Sequence, residues 1–324
     1  MEDFHFMKAL QITDPGQFEI REVAVPEAGP GEVLLKVLSV TTCPHWDLHI
    51  FGGEPMFPGM VLDYPYTLGQ PGHEACGEVA AVGEGVTEVS VGQRVCAWRD
   101  PGHHVQGCYA QYVVKPVSHV IPVPEPLAPE ACAPLELAMC VSAHLMLADK
   151  LDAVAGHRAG VFGLGPAGLV AVQLLRAAGA AEVVGFDPVP SRRDMALSMG
   201  AAKVYETAEG FPARGMDGCL HCAFDCVGVQ SAVHQAMEAT SHLVVLFAVQ
   251  REPYIYAPKF WPGLVLAGTQ PHTREAAEYA AARMADGRLD MRPLVTHVLP
   301  LEEYARAVDL LRTRQAVKIA FSPW

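Results

Sequence analysis

Ala159-Gly-Val-Phe162-Gly163-Leu164-Gly165-Pro166-Ala167-Gly168 decides the fold: a short apolar run, a glycine-rich turn and the first residues of an apolar helix. Gly163 permits the tight turn, Gly165 lets backbone approach a pyrophosphate, and Gly168 lets the helix pack close against the strand. The helix N-terminus offers unpaired N–H groups and a positive dipole end, which hold an anion without a lysine. Asp187 follows the next apolar run, where a carboxylate accepts hydrogen bonds from a ribose 2′-hydroxyl and repels a 2′-phosphate. The candidate dinucleotide site is therefore Gly163, Leu164, Gly165, Pro166, Ala167, Gly168, Asp187 and Arg192. NAD is expected over NADP, although Arg192 and Arg193 are guanidinium groups able to hold a 2′-phosphate.

Working outward, short apolar strands alternate with helical segments from about Ala159 to Gln270: strands at 159–162, 182–186, 222–226, 242–247 and 264–267, helices from Pro166, Ser191 and Ser231. Strands alternating with helices imply an α/β fold with a doubly wound parallel sheet. Upstream, residues 8–123 carry Val/Ile runs separated by Gly and Pro at 8–12, 31–40, 77–82, 93–98 and 109–114, the pattern of a compact all-β unit. Helical spacing returns at 129–151, and the tail reads as helix 274–286, strand 295–299, helix 301–312 and strand 316–321.

The 324 residues are 51% hydrophobic and 18% charged, enough apolar content to exclude disorder and to bury a core without disulfides or a structural metal. With 23 basic and 36 acidic residues the net charge is −13, which excludes nucleic acid and anionic lipid as expected partners. Residues 1–7 include Glu2 and Asp3 and no basic n-region, so no export signal is read. The apolar run 159–175 is broken by glycines and Pro166, so no membrane span is expected. Nine scattered cysteines suit a reducing cytoplasm.

Within the β-rich part, His73-Glu74 precedes a strand, Cys43 lies upstream with His45, Asp47 and His49, and Glu136 lies downstream. Thiolate, imidazole and carboxylate are zinc ligands, three or four of which make an open catalytic site. Singly each has a plainer reading, a Cys as a small core hydrophobe or a His as hydrogen-bonded core. Cys219-Leu-His-Cys222 runs into a strand with no second thiol pair behind it and reads as packing.

The order of Met7-Lys-Ala-Leu, Pro30-Gly-Glu-Val33, Pro71-Gly-His-Glu-Ala-Cys-Gly-Glu-Val79, Val91-Gly-Gln-Arg-Val95, the glycine fingerprint, Phe224-Asp-Cys-Val-Gly228 and Ala316-Val-Lys-Ile319 carries a resemblance. From about Met7 to Pro323 the chain resembles the medium-chain dehydrogenase/reductase family, in its zinc-dependent alcohol and polyol dehydrogenase branch. The resemblance implies a GroES-like partly open β-barrel catalytic domain interrupted by a Rossmann domain: residues 1–140, then 141–271 for the cofactor, then 272–324 returning to the catalytic part. It places the active site in a cleft between the two.

The implied activity is that of an NAD(P)-dependent oxidoreductase moving a hydride between an alcohol or carbonyl substrate and the nicotinamide. One catalytic zinc is implied, held by Cys43, His73, Glu74 and Glu136, with Glu136 at the place where polyol dehydrogenases carry a glutamate and Lys318 neutralising the carboxylates. Cys43-Pro-His45-Trp-Asp47-Leu-His49 departs from the family pattern by one extra residue. Aligned on Asp47 and His49, it puts Pro44 at the ligand place and Trp46 at the place of the Ser/Thr that relays the substrate proton. Cys43 then reaches the metal through a bulge, with His45 or Asp47 as substitutes, and His49 or His45 with a water is the candidate relay. The catalytic candidates are His49, His45, Asp47 and Glu74.

Only residues 99–107 stand where relatives with a structural zinc place four cysteines, so no structural zinc is expected and His103-His104 reads as exposed loop. Trp46, Phe51, Tyr64, Tyr66 and Trp98 read as barrel core or an apolar substrate pocket. Family habit implies a homodimer or homotetramer. Two rival readings are a zinc-independent quinone or enone reductase of the same family and a catalytically silent cofactor-binding protein.

Overall fold

Along Glu32–Thr41, Val33, Leu35, Val37 and Val40 are buried while Leu34, Lys36 and Leu38 are only partly so, the two-residue period of a strand with one face on a core. The computed structural model describes residues 5–57, 59–123 and 126–324; residues 1–4 of the leader reading and 124–125 of the proline-rich stretch lie outside the described residues. The chain divides into two compact units, Met1–Leu137 with Met291–Trp324, and Ala138–Asp290.

The first unit opens with a hairpin of β1 (Phe6–Asp14) and β2 (Gln17–Ala24). Then come β3 (Glu32–Thr41), helix α1 (Pro44–Gly52), β4 (Glu74–Val82), β5 (Arg94–Ala97), β6 (Tyr112–Pro116), β7 (Val120–Pro122) and the short helix α2 (Pro129–Cys132). Helix α3 (Leu135–Lys150) starts at the junction. The second unit supplies β8 (Arg158–Phe162), α4 (Pro166–Ala177), β9 (Glu182–Phe186), α5 (Pro190–Ser198), β10 (Lys203–Tyr205), β11 (Leu220–Asp225), α6 (Gln230–Ala239), β12 (Thr240–Leu246), β13 (Val265–Ala267) and α7 (Arg274–Ala285). The first unit resumes with β14 (Val295–Pro300), α8 (Tyr304–Arg312) and β15 (Lys318–Ser322).

In the first unit the sheet runs β14-β15-β3-β4-β5-β7, with β6 also paired to β3. Its pairings are antiparallel except β14 with β15, and Ile12, Leu35, Val79, Tyr109, Tyr304 and Phe321 share its core. In the second unit six parallel strands run β10-β9-β8-β11-β12-β13, so the order reverses between β8 and β11, the switch point of a doubly wound sheet.

Two features differ from the sequence reading. Helix α7 groups with the second unit, whose end falls at Asp290: Gln173 on α4 donates to the Asp290 carbonyl at 3.0 Å and accepts from its N–H at 2.8 Å, and Ala276, Ala277 and Ala280 are buried. The segment after Cys43 is a helix rather than a bulge, because Pro44 is preset for the first helical position and Gly53 closes the end with a φ of 74°. By length and composition Pro129–Lys150 could cross a membrane, but 78% of its window is buried inside the structure, as in a core helix.

Candidate active site and cofactor cradle

At the C-terminal end of β8 the three glycines divide their work. A Cβ on Gly163, whose φ is 84°, would stand 2.5 Å from Val227 Cγ2, and one on Gly168 would run into the Gly163 carbonyl. Gly165, the residue before α4, has open space where a Cβ would go, which leaves room for a phosphate beside the helix N-terminus. Asp187 accepts from Leu164 N at 2.8 Å and from Val189 N at 2.8 Å, fixing its carboxylate against the glycine turn. Arg193 donates to the Asp187 carbonyl at 2.6 Å. Leu164, Pro166 and Ala167 belong to the same turn and first helical residues, and Arg192 sits in the first turn of α5. These residues fit a dinucleotide.

In the first unit, ligating atoms of Cys43, His73 and Glu74 all lie within 4.8 Å of one another. Cys43 caps α1 at the end of β3, and Glu74 opens β4 with His73 just before it, so two paired strands bring the three together. His73 Nδ1 donates to the Pro71 carbonyl at 2.8 Å, which leaves Nε2 for a metal, and Glu136 Oε2 stands 3.7 Å from that nitrogen. Burial opposes a charge on His73, yet Cys43, Glu136 and Glu74 outweigh it and hold its pKa well above that of a free imidazole. A pocket that attracts positive charge this way, with one thiol, one imidazole and two carboxylates, fits zinc.

Lys318, fully buried, donates to Glu74 Oε1 at 2.7 Å and to the Thr42 carbonyl at 2.6 Å, and Thr41 Oγ1 donates to Glu74 Oε2 at 2.8 Å. Burial pushes the Glu74 carboxyl up, against the pull of Lys318.

The remaining candidates are placed differently. Asp47 is buried inside the barrel, where Oδ1 accepts from the hydroxyls of Tyr109 and Tyr304, both at 2.8 Å, and burial lifts its pKa to about 6. His45 and His49 sit one helical turn apart on α1 with ring centroids 5.1 Å apart, and His49 Nδ1 is 3.1 Å from the Glu54 carbonyl. Among the described residues no group of three or more converging donors takes in His45, Asp47 or His49.

His103 corrects the reading of its loop as exposed. Its side chain is 17% accessible, its ring lies 4.1 Å from that of Trp46, and its Nδ1 is 2.7 Å from the Tyr66 hydroxyl. Burial lowers its pKa to about 4, so the imidazole is neutral at physiological pH. His73, Asp100 and His103 form a second group whose donor atoms lie within 4.8 Å of one another. Asp100 and His103 are 27 and 30 positions from His73, and only the Asp-x-x-His spacing marked them in sequence. His104 is exposed.

Two family models match the chain, an alcohol dehydrogenase GroES-like domain over residues 29–125 and a zinc-binding dehydrogenase over residues 166–255. An L-threonine 3-dehydrogenase of Bacillus licheniformis is 28% identical over 354 residues, covering 98% of this chain and 99% of that protein. One of Legionella pneumophila is 27% identical, covering 94% and 96%. Among solved structures, 2R,3R-butanediol dehydrogenase from Bacillus subtilis aligns with a TM-score of 0.82 at 25% identity, covering 98% of this chain and all of that one. A provisionally named zinc-binding dehydrogenase from Sinorhizobium meliloti 1021, bound to NADP, aligns at 0.83 and 26%, covering 98% and 99%.

Parallel sheet, glycine cradle and the converging thiol, imidazole and carboxylate, with the matching family models, define a nicotinamide- and zinc-dependent oxidoreductase that interconverts small-molecule alcohols and carbonyls. The chain belongs to the medium-chain dehydrogenase/reductase family, in its zinc-dependent alcohol and polyol dehydrogenase branch.

Proposed function

We propose that this enzyme oxidises a small secondary alcohol carrying a polar group on the neighbouring carbon, with NAD and one zinc per chain held by Cys43, His73, Glu136 and Glu74. The convergence of Cys43, His73 and Glu74 donors within 4.8 Å carries the reading. The substrate class is supported by the relatives named for L-threonine and 2R,3R-butanediol. Bound there, zinc would supply Lewis acidity toward the substrate oxygen and NAD an acceptor for the hydride.

The protein's own groups do the rest. Pro71 fixes the tautomer of His73 through Nδ1, and Lys318 with Thr41 holds the Glu74 carboxylate in place. Asp187 orders the glycine turn and stands ready to receive a ribose hydroxyl, which supports NAD. Trp46 cannot hand on the substrate proton as a hydroxyl would, so His49 or His45 with a water carries it. Assembly as a homodimer or homotetramer in the cytoplasm completes the reading.

The test is zinc content of protein purified without chelator, beside a His73→Ala variant, together with kcat/KM for vicinal amino-alcohols and diols with NAD and NADP. One zinc lost with His73, and turnover with NAD, are expected. Zinc in neither protein would overturn the ligand set, and faster turnover of unsubstituted alcohols would overturn the substrate class.

A further inference from the structure

We propose that His73 serves two neighbouring positions for a divalent ion, the second formed with His103 and Asp100 of the loop after β5, so that the protein binds metal without its thiolate. This rests on the reading of His73 as a metal ligand and extends the site to donors from a different segment.

His103 is prepared as His73 is. Each imidazole has its Nδ1 tied: that of His73 donates to the Pro71 carbonyl at 2.8 Å, which leaves Nε2 to ligate, and that of His103 lies 2.7 Å from the Tyr66 hydroxyl, so Nε2 ligates in the tautomer whose Nδ1–H donates to Tyr66. Trp46 packs against the His103 ring at 4.1 Å and restricts its rotation. Asp100 Oδ2 lies 3.9 Å from His103 Nε2, too long for a hydrogen bond. Asp100 Oδ1 is buried without a hydrogen-bond partner among the described residues, and Lys115 Nζ stays 4.0 Å away. Oδ1 thus has the ion pair with the buried Lys115 ammonium but no hydrogen bond, and keeps lone pairs with which to ligate a metal.

Donors of His73, Asp100 and His103 lie within 4.8 Å of one another, as do those of Cys43, His73 and Glu74. Two imidazoles and a carboxylate form a nitrogen and oxygen set that accepts zinc, cobalt(II) or iron(II), whereas the set with Cys43 favours softer ions. One Nε2 binds one ion at a time, so the two sets compete and the stoichiometry stays at one per chain.

Cobalt(II) loading tests this, read by metal content and by visible and near-ultraviolet absorption. Wild-type protein should bind one cobalt with a thiolate-to-metal charge-transfer band. Cys43→Ser should keep the cobalt, bound more weakly than in wild type, and lose that band. The Cys43→Ser/His103→Ala protein should lose cobalt, while Cys43→Ser/His104→Ala, altered at the exposed neighbour, should match Cys43→Ser. Loss of cobalt from Cys43→Ser alone, or equal binding by Cys43→Ser and Cys43→Ser/His103→Ala, would overturn the second position and leave the first intact. Folding of each variant is checked by its far-ultraviolet circular dichroism. Wild-type protein that takes up no cobalt would overturn both.

Discussion

Lys318 Nζ lies 2.7 Å from Glu74 Oε1, a buried ion pair between residues 244 positions apart that joins β15 to β4 beside Cys43 and His73. A charge taken from water this completely is tolerable only while its partner remains. Lys318→Ala should therefore cost about 3–5 kcal/mol of stability, seen as a lower urea midpoint. Lys318→Met/Glu74→Gln, which leaves no unpaired charge, should recover much of that loss. A single variant as stable as wild type would show the pair to be dispensable.

The glycines of the cradle should separate by phenotype. Gly165→Ala meets open space and should leave the melting temperature nearly unchanged while weakening NAD about tenfold, or about 1.4 kcal/mol. Gly168→Ala drives a Cβ into the Gly163 carbonyl and should destabilise the second unit itself. Calorimetric titration and thermal melts together would decide, and Gly165→Ala binding NAD normally would remove Gly165 from the site.

Asp187 should set cofactor choice. Asp187→Ser removes the charge that repels a 2′-phosphate, with Arg193 close by, so the NADP-to-NAD ratio of kcat/KM should rise about tenfold or more. Absolute NAD efficiency should fall as well, because Leu164 N and Val189 N now bond two different carboxylate oxygens, and serine, with its shorter side chain, offers only one. A ratio that does not move would assign discrimination elsewhere.

Asp225 gives the second unit a pH dependence. It is fully buried at the end of β11, and burial raises its pKa above 3.8 although Gln250 and the backbone N–H groups of Val227 and Gly228 donate to it. A carboxyl with a folded pKa above its unfolded value favours the folded state when protonated. Its contribution is full below the unfolded pKa and is lost as pH rises through the folded one. Asp225→Asn should thus gain stability relative to wild type as pH rises from about 4 to about 8. Gln250 Oε1, without a hydrogen-bond partner among the described residues, can accept from the new amide once its side chain turns over. Parallel stability curves for the two proteins would refute the assignment.

Local signals carried the second unit: the glycine turn, its helix and the alternating strands are contiguous in sequence, and β9 spans Glu182–Phe186 as its apolar run indicates. The first unit was legible in outline only. Strand β2 escaped because its alternation is short: Phe18 and Ile20 alternate with Gln17, Glu19 and Arg21, Glu22 then breaks the period, and no residue of Gln17–Ala24 is fully buried. Helix α1 is short and its one polar face carries His45 and His49, so its apolar period is weak, while the placement of Asp47 between Tyr109 and Tyr304 depends on residues 62 and 257 positions away. The pairing of His103 with His73 depends on a loop returning to β4, which no local pattern encodes.

Strand β15 closes the first sheet, pairing parallel to β14 and antiparallel to β3, and it carries Lys318. During vectorial synthesis the segment 138–290 is contiguous and can condense as it leaves the ribosome, whereas the sheet of the first unit lacks β15 until residues 318–322 emerge. A nascent chain halted before β15 would carry a finished cradle for the nucleotide and a Glu74 still without its lysine.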